Sequence, residues 1–196
     1  MINVNRIVDR TRVEGPGERC CIWLQGCSRH CKGCFATETW SHRDNKLFSV
    51  NELYQRLKNN KNIEGVTILG GEPFEQAAEL AQLIKKLRPS FSIIVFTGYK
   101  LKDLIKMECD EVNTILNHID VLIDGAYVEE KRDFSVPMIG SSNQVFHFLT
   151  DYYQMSDFPE NKIEARVLPN GEVEFNGMGD FRKLKKKLGE DLKYEL

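Results

Sequence analysis

Short apolar segments alternate with amphipathic ones along the chain, and this alternation constrains the fold more than any other feature. The apolar segments predict strands at residues 19–25, 66–69, 92–97, 119–123 and 144–149. Apolar residues at helical spacing predict helices at residues 49–60, 75–88 and 101–107, with 110–117 as an optional extension of the last helix. Continuous apolar strands between helices are typical of a parallel sheet covered by helices.

Chain length limits how such a sheet can close. A closed eight-fold barrel typically needs about 250 residues, whereas this chain has 196. We therefore predict an α/β fold with mostly parallel strands, arranged as a partial, open TIM-like barrel in a single domain over residues 1–196. Asn170–Gly171 predicts a C-terminal hairpin over residues 163–175. Residues 179–195 predict a lysine-rich amphipathic helix after it.

Charge and hydropathy give no sign of a membrane or nucleic-acid partner. The formal net charge is −2, and no apolar run approaches the about 20 residues that a bilayer-spanning helix needs. The N-terminal sequence MINVNRIVDRTRV lacks the apolar centre of a signal peptide. These features predict a cytoplasmic protein with no nucleic-acid or membrane partner.

Three of the six cysteines lie within one short loop. Cys27, Cys31 and Cys34 form a C-x3-C-x2-C motif directly after the predicted strand at 19–25. Thiolates are soft ligands that suit iron–sulfur clusters or zinc, and a fully ligated structural cluster takes four cysteines. Because no fourth cysteine lies close in sequence, we predict a [4Fe–4S] cluster with one iron open to a substrate. A structural zinc site with His30, His42 or a remote cysteine as fourth ligand is the alternative.

Further candidates follow the next strands, where parallel α/β folds place their chemistry. Gly70 and Gly71 follow the strand at 66–69 and let a ligand approach the backbone. Glu72 comes next and can accept a charge-assisted hydrogen bond from an amine. Thr97 and Asp124 end the following two strands, with turn or capping roles as the alternative. Two roles are considered for Arg19: its side chain neutralises the charge of a reduced cluster, or it faces solvent.

Several segments resemble the radical S-adenosylmethionine superfamily and, within it, the activating enzymes of anaerobic ribonucleotide reductase, which are glycyl-radical-enzyme activases. The resembling segments are Glu14–Arg19, Gly26–Cys34, Glu38–Trp40, Gly70–Pro73, Asp120–Asp133 and Gly140–Gln144. Many members of the superfamily carry an aromatic residue before the third cysteine. This chain has Gly33 there, which is similar to the reductase-activase pattern.

The resemblance implies reductive cleavage of S-adenosylmethionine to a 5′-deoxyadenosyl radical, which takes a hydrogen atom from a glycine of anaerobic ribonucleotide reductase. It implies a flavodoxin or ferredoxin-type electron donor. It also implies that the glycines and glutamate bind the methionine moiety, and that the polar segment at 141–144 contacts cofactor or partner. Related activases often carry a lysine two residues after the acidic residue that corresponds to Asp124, but this chain has Ala126 at that position. The candidate cofactor-binding residues are Gly70, Gly71, Glu72, Thr97, Asp124, Ser142 and Asn143.

Two other functions fit the same residues. One is a radical S-adenosylmethionine enzyme that modifies a small molecule or peptide, resembling 7-carboxy-7-deazaguanine synthase or a peptide maturase. The C-terminal hairpin and helix would then line the substrate site. The other is a non-catalytic iron–sulfur electron carrier, in which the Gly-Gly-Glu turn would have no evident purpose.

Overall fold

The structure is a computed structural model that describes residues 1–181, Leu184 and Tyr194–Glu195. The strands are β1 (Ile2–Thr11), β2 (Arg19–Leu24), β3 (Lys46–Phe48), β4 (Gly65–Gly70), β5 (Ser92–Thr97), β6 (Val121–Asp124), β7 (Val145–Phe148), β8 (Ile163–Val167), β9 (Val173–Gly177) and β10 (Tyr194–Glu195). The helices are α1 (Val50–Asn59), α2 (Ala77–Leu87), α3 (Leu101–Lys106) and α4 (Asp110–Leu116).

A seven-stranded sheet in the order β3-β1-β2-β4-β5-β6-β7 forms the centre of the molecule. Strands β2, β4, β5 and β6 are parallel, while β1, β3 and β7 pair antiparallel at the two edges. The α/β class and the mainly parallel central sheet are therefore confirmed. The partial TIM-like barrel stays a prediction.

The two faces of the sheet bury different partners because successive side chains of a strand point to opposite faces. One face carries Ile22, Ile68 and Ile93 and packs against the helices, including Leu53 and Leu80. Full burial of each such side chain contributes about 1.5–3 kcal/mol. On the other face, here called the inner face, Trp23, Ile94 and Ile123 are buried. The segment with Met138, Ile139, Tyr153 and Phe158 covers part of the inner face.

Local helix signals in the sequence are confirmed. Ser49 caps α1, since its side chain accepts from the Glu52 main-chain N–H at 3.1 Å and the Glu52 carboxylate accepts from the Ser49 N–H at 2.7 Å. The pattern at 101–117 forms two helices, α3 and α4, rather than one. In the described part of the chain, no helix has the length and apolar character needed to cross a membrane.

The C-terminal hairpin is confirmed around Asn170–Gly171, with Gly171 at φ +85°. Strands β8 and β9 form a separate three-stranded sheet with β10, which pairs parallel to β9. Most of the helix predicted at 179–195 lies outside the described residues. At Tyr194–Glu195 the helix prediction is wrong, because these residues add a strand to the hairpin sheet.

Arg19 begins β2, at the opposite end of the strand from the cysteine loop, and is fully buried. Its guanidinium donates to Thr67 Oγ1 at 2.8 Å, Ser92 Oγ at 3.0 Å and Tyr153 Oη at 2.9 Å. Tyr153 in turn donates to the Glu64 carboxylate. Both sequence-based alternatives for Arg19 are therefore wrong: its side chain joins β2, β4 and β5 on the inner face.

Replacement of Arg19 by methionine is expected to destabilise the protein by at least about 3 kcal/mol, because several buried polar groups lose their partner. Urea unfolding of the variant and wild type measures the difference. Arg56→Met is the control, since Arg56 forms an exposed ion pair with Asp9 and should lose about 1 kcal/mol or less. Equal losses in the two variants would show that the Arg19 network contributes no more than a surface pair.

Candidate functional site

A cavity of about 200 Å³ opens at the carboxyl ends of the parallel strands. Apolar side chains of the inner face, including Trp23, Leu69 and Phe96, form its floor. The structure brings most of the candidate residues to this cavity. The candidates that line it are Cys27, Cys31, Cys34, Gly70, Gly71, Glu72 and Thr97. Asp124, Ser142 and Asn143 are not among the lining residues.

Main-chain hydrogen bonds fix the cysteine loop at the top of β2. The Cys27 N–H donates to the Trp40 carbonyl at 3.1 Å, and the Cys34 N–H donates to the Cys31 carbonyl at 3.0 Å. Gly33 has φ +77°, a conformation that glycine adopts without strain. A Cβ at Gly33 would also lie 2.9 Å from the Glu129 carboxyl carbon. The missing aromatic residue before the third cysteine is thus explained by the backbone conformation and the crowded space.

The thiols lie in surroundings that suit metal-bound thiolates. All three are partly buried. Burial raises the pKa of Cys27, opposed by the N–H groups of Arg29 and His30, and burial also raises the pKa of Cys34, opposed by the N–H of Ala36. Bound iron would deprotonate such thiols, and these N–H groups would then stabilise the charge on the sulfur atoms.

The donor set fits a cubane cluster. Three soft ligands on one loop border one cavity, and each can bind a separate iron. In the described part of the chain, no three His, Cys, Asp or Glu side chains are placed to hold one metal ion. That finding concerns single ions, whereas the cubane fit rests on three soft thiol ligands that border one cavity.

Glu72 is the most constrained polar side chain of the cavity, with 1% of its surface exposed. Its carboxylate accepts from Thr97 Oγ1 at 2.7 Å, from the Gly98 N–H at 2.8 Å and from the Phe74 N–H at 3.1 Å. Arg29 Nε lies 3.3 Å from Glu72 Oε2. Burial raises the pKa of Glu72 against these opposing contacts. The carboxylate therefore connects the ends of β4 and β5 with the cysteine loop.

Gly70 and Gly71 are required for close packing, while their contact with a ligand stays a prediction. A Cβ on Gly70 would lie 2.6 Å from the Leu24 nitrogen, and one on Gly71 would lie 2.2 Å from the Gly26 oxygen. The Glu72 N–H also donates to the Gly26 carbonyl at 2.8 Å. The two glycines thus let the Gly-Gly-Glu turn lie directly against the start of the cysteine loop.

Asp124 is buried at the end of β6 and already has protein partners. Lys100 Nζ lies 3.1 Å from Oδ1, while the Leu101 N–H at 2.7 Å and His147 Nε2 at 2.9 Å contact Oδ2. Burial alone would raise the pKa of Asp124, but the hydrogen bonds from Leu101, Lys100 and His147 lower it below its ordinary value. Lys100 thus supplies the positive charge beside Asp124, where related activases often have a lysine at the position of Ala126. A cofactor contact for Asp124 stays a prediction.

The polar segment at 141–144 lies beside Asp124. The Asn143 side-chain amide donates to the Ala126 carbonyl at 2.8 Å, and the Asn143 main-chain carbonyl accepts from Lys100 Nζ at 2.8 Å. Ser142 is exposed, and its main-chain N–H donates to the Lys131 carbonyl. These contacts hold the end of β6 in place. The cofactor or partner contacts of Ser142 and Asn143 stay predictions.

Two cavity groups were missed by sequence reasoning. Arg29 lies between two cysteines of the motif, and its charge was the signal that could have identified it. Its guanidinium stacks 4.0 Å from the Tyr99 ring centroid. Glu14, in a segment that resembles the activases, is 2% exposed and accepts from the Gly177 N–H at 2.6 Å. No local sequence signal could have revealed that β9 contacts Glu14.

Comparison with known proteins agrees with this geometry. The family described as 4Fe-4S single cluster domain matches residues 13–147, so the fold and site define an iron–sulfur protein. The chain is 35% identical over 144 residues to the anaerobic ribonucleoside-triphosphate reductase-activating protein of Haemophilus influenzae, covering 69% of this chain and 90% of the relative. Identity to the phage T4 protein of that name is 34% over 158 residues, covering 76% and 96%.

The Escherichia coli K12 protein of that name is 33% identical over 150 residues, covering 70% of this chain and 92% of the relative. The chain belongs to the family of anaerobic ribonucleoside-triphosphate reductase-activating proteins, which are radical S-adenosylmethionine enzymes. The resemblance predicted from the sequence motifs is therefore confirmed.

Stability is expected to depend on pH through Glu14. Burial raises its pKa from 4.5 to about 7, against hydrogen bonds from Gly177 and Asn176 and the charges of Arg6 and Arg166. Between these two values the folded protein retains a proton that the unfolded chain has released, so stability falls as pH rises. The loss is at most about 3 kcal/mol.

Glu14→Gln removes this titration, so the variant is expected to gain stability relative to wild type between about pH 5 and about pH 8. Thermal or urea unfolding across that range measures the difference. A stability difference that does not change with pH would contradict the raised pKa.

Proposed function

We propose that this protein cleaves S-adenosylmethionine reductively at a [4Fe–4S] cluster and uses the resulting 5′-deoxyadenosyl radical to install a glycyl radical on anaerobic ribonucleotide reductase. The observation that carries the proposal is the shared cavity wall of the cysteine loop and the Gly-Gly-Glu turn. The Arg29–Glu72 ion pair joins these two elements. The partial TIM-like barrel belongs to the same proposal.

Cys27, Cys31 and Cys34 would hold the cluster, and the absence of a nearby fourth cysteine in the sequence leaves one iron for S-adenosylmethionine. The chemistry that the cluster supplies when bound is one-electron reduction of a carbon–sulfur bond. The main-chain N–H groups of Arg29, His30 and Ala36 would stabilise the negative charge on the sulfur atoms.

Glu72 would bind the methionine amine. An ionised carboxylate accepts a charge-assisted hydrogen bond from an ammonium group, and the contacts from Thr97, Gly98 and Phe74 fix its orientation beforehand. Because the Glu72 side chain is already ordered, little conformational entropy is lost when the cofactor binds. The glycines before Glu72 keep side chains away from that position.

The floor of the cavity would protect the radical. Trp23, Leu69 and Phe96 line it with apolar surface. Exclusion of water from a reactive intermediate prevents side reactions. A hydrogen donor that enters from the open side then meets the radical in an apolar environment.

The partner follows from the relatives, which are named as activating proteins of anaerobic ribonucleoside-triphosphate reductase. The hydrogen donor would be a glycine of that enzyme. A flavodoxin or ferredoxin-type donor would supply the electron.

A second candidate is modification of a small molecule or peptide. The observation that favours it is the position of the C-terminal hairpin, which lies beyond the family match at 13–147. Phe175, Asn176 and Gly177 of β9 line the cavity and narrow it. Absence of a glycyl radical on the reductase, together with active cleavage of S-adenosylmethionine, would favour this candidate.

Wild-type protein with a reconstituted and reduced cluster is expected to form 5′-deoxyadenosine from S-adenosylmethionine, and the reductase is expected to acquire a glycyl radical seen by electron paramagnetic resonance. Cys31→Ala should lose both signals and much of its iron because it lacks one of the three thiolates. Cys109→Ala is the matched control, since Cys109 lies at the start of α4 and does not line the cavity.

Failure of the wild type to form 5′-deoxyadenosine, with its cluster confirmed as reduced, would reject the proposed cleavage. The electron-carrier function would then be favoured. Equal iron content in wild type and Cys31→Ala would reject the proposed ligand set.

Glu72→Gln is expected to raise the KM for S-adenosylmethionine at least about tenfold, because a neutral amide replaces the ionised acceptor of the methionine amine. Steady-state kinetics of 5′-deoxyadenosine formation measure this change. Glu79→Gln serves as the control, since Glu79 is an α2 residue that pairs with the N-terminal amine. An unchanged KM in Glu72→Gln would place the methionine amine elsewhere.

A further inference from the structure

An unsatisfied hydrogen-bond donor lies beside the cysteine loop. Trp40 lines the cavity together with Cys27, Cys31 and Cys34. Its indole Nε1 is buried, and among the described residues it has no hydrogen-bond partner. The indole group has one N–H donor and no acceptor, and a buried polar group without a partner is costly. This N–H therefore calls for an acceptor at the cavity wall.

The cysteine loop fixes the position of Trp40. The Cys27 N–H donates to the Trp40 carbonyl at 3.1 Å, and the Trp40 main-chain N–H donates to the Thr37 carbonyl at 3.2 Å. The indole ring stacks on the His30 ring, with centroids 4.8 Å apart and an angle of 25° between the planes. Because His30 lies between two cysteines of the motif, both the main chain and the side chain of Trp40 contact the loop.

Cys34 is the thiol on which the Trp40 side chain acts. Burial raises the pKa of Cys34, and the main-chain N–H of Ala36 and the side chain of Trp40 oppose this rise. A neutral thiol is only a weak acceptor, so it leaves the indole N–H unsatisfied. A thiolate is charged, and hydrogen bonds to ionised groups are roughly twice as strong as those between neutral groups. The indole N–H therefore suits the sulfur in its metal-binding form.

We propose that Trp40 donates its indole N–H to the sulfur of Cys34 when that sulfur binds iron, and thereby raises the reduction potential of the cluster. This inference rests on the proposed function, because it takes Cys34 as a cluster ligand. Reduction adds negative charge to the cluster, and hydrogen bonds to its sulfur atoms are among the contacts that set the potential. Trp40 is thus a positioning residue that acts through Cys34.

The test measures the midpoint potential of the reconstituted cluster by a redox titration monitored by electron paramagnetic resonance. Trp40→Phe keeps an aromatic ring against His30 and removes the indole N–H, while the Ala36 N–H remains. One-electron reduction is expected to become about tenfold less favourable in this variant, because a hydrogen bond to a charged sulfur is lost. A tenfold change in that equilibrium lowers the potential by about 60 mV.

Trp23→Phe is the matched control. Trp23 also lines the cavity, but its ring faces the Arg6 guanidinium, whose carbon lies 4.2 Å from the ring centroid. This variant loses an indole from the same cavity and should keep a potential close to that of the wild type.

A second measurement covers the case that Trp40→Phe does not hold a cluster. Wild-type protein with 15N-labelled indole nitrogens is reduced, and electron–nuclear double resonance is expected to show a coupling between the cluster spin and an indole nitrogen. The chain has two tryptophans, so Trp23→Phe retains Trp40 alone. Persistence of the coupling in Trp23→Phe assigns it to Trp40.

Three outcomes would overturn the inference: a wild-type potential in Trp40→Phe, an equal fall of the potential in Trp23→Phe, or no indole nitrogen coupling in the wild type. These outcomes are separate from the test of the proposed function. Wild-type protein that forms 5′-deoxyadenosine but gives one of these results loses only the role of Trp40. Protein that forms no 5′-deoxyadenosine, or that keeps its iron in Cys31→Ala, fails the proposed function itself.

Discussion

The buried carboxylate of Glu72 is the contact on which the site depends. It lies at the end of β4, accepts from Thr97 and Gly98 at the end of β5, and pairs with Arg29 of the cysteine loop. Each of these groups comes from a different part of the sequence. A carboxylate in this position is costly to bury unless its oxygens are satisfied. Three hydrogen-bond donors and the Arg29 guanidinium surround the carboxylate and offset this cost of burial. They can do so only when the two strand ends and the cysteine loop are correctly aligned with one another.

That register in turn depends on backbone contact between neighbouring strands. Gly70 and Gly71 lie so close to Leu24 and Gly26 that any side chain would collide with main-chain atoms. Parallel pairing of β2 with β4 carries this close contact through to the last pair, Leu24 with Gly70. At the opposite end, Arg19 joins β2, β4 and β5. The sheet is thus held at both ends, which leaves a rigid support for the cavity.

Features that depend on local sequence were predictable, and those that depend on distant contacts were not. The strand at 92–97 was predicted with its observed bounds because it is a continuous apolar run. The three cysteines were found from spacing alone. Strands β1 and β3 were missed because neither is a continuous apolar run: β1 alternates apolar and polar residues, and β3 is a three-residue edge strand. The role of Glu14 was missed because its partner Gly177 is 163 positions away.

The two buried carboxylates of the cavity show that burial alone does not set the chemistry of a group. Glu72 and Glu14 are almost equally buried, and burial raises the pKa of both. Among the described residues, Glu72 has donors on both oxygens, whereas Glu14 has them on one. Glu72 also faces a guanidinium at 3.3 Å. One end of the cavity therefore has a carboxylate with both oxygens satisfied, while the other has a carboxyl group with one oxygen that makes no hydrogen bond to the described residues. A cavity with two unlike ends can orient two different molecules toward each other, as the proposed radical transfer between cofactor and substrate requires.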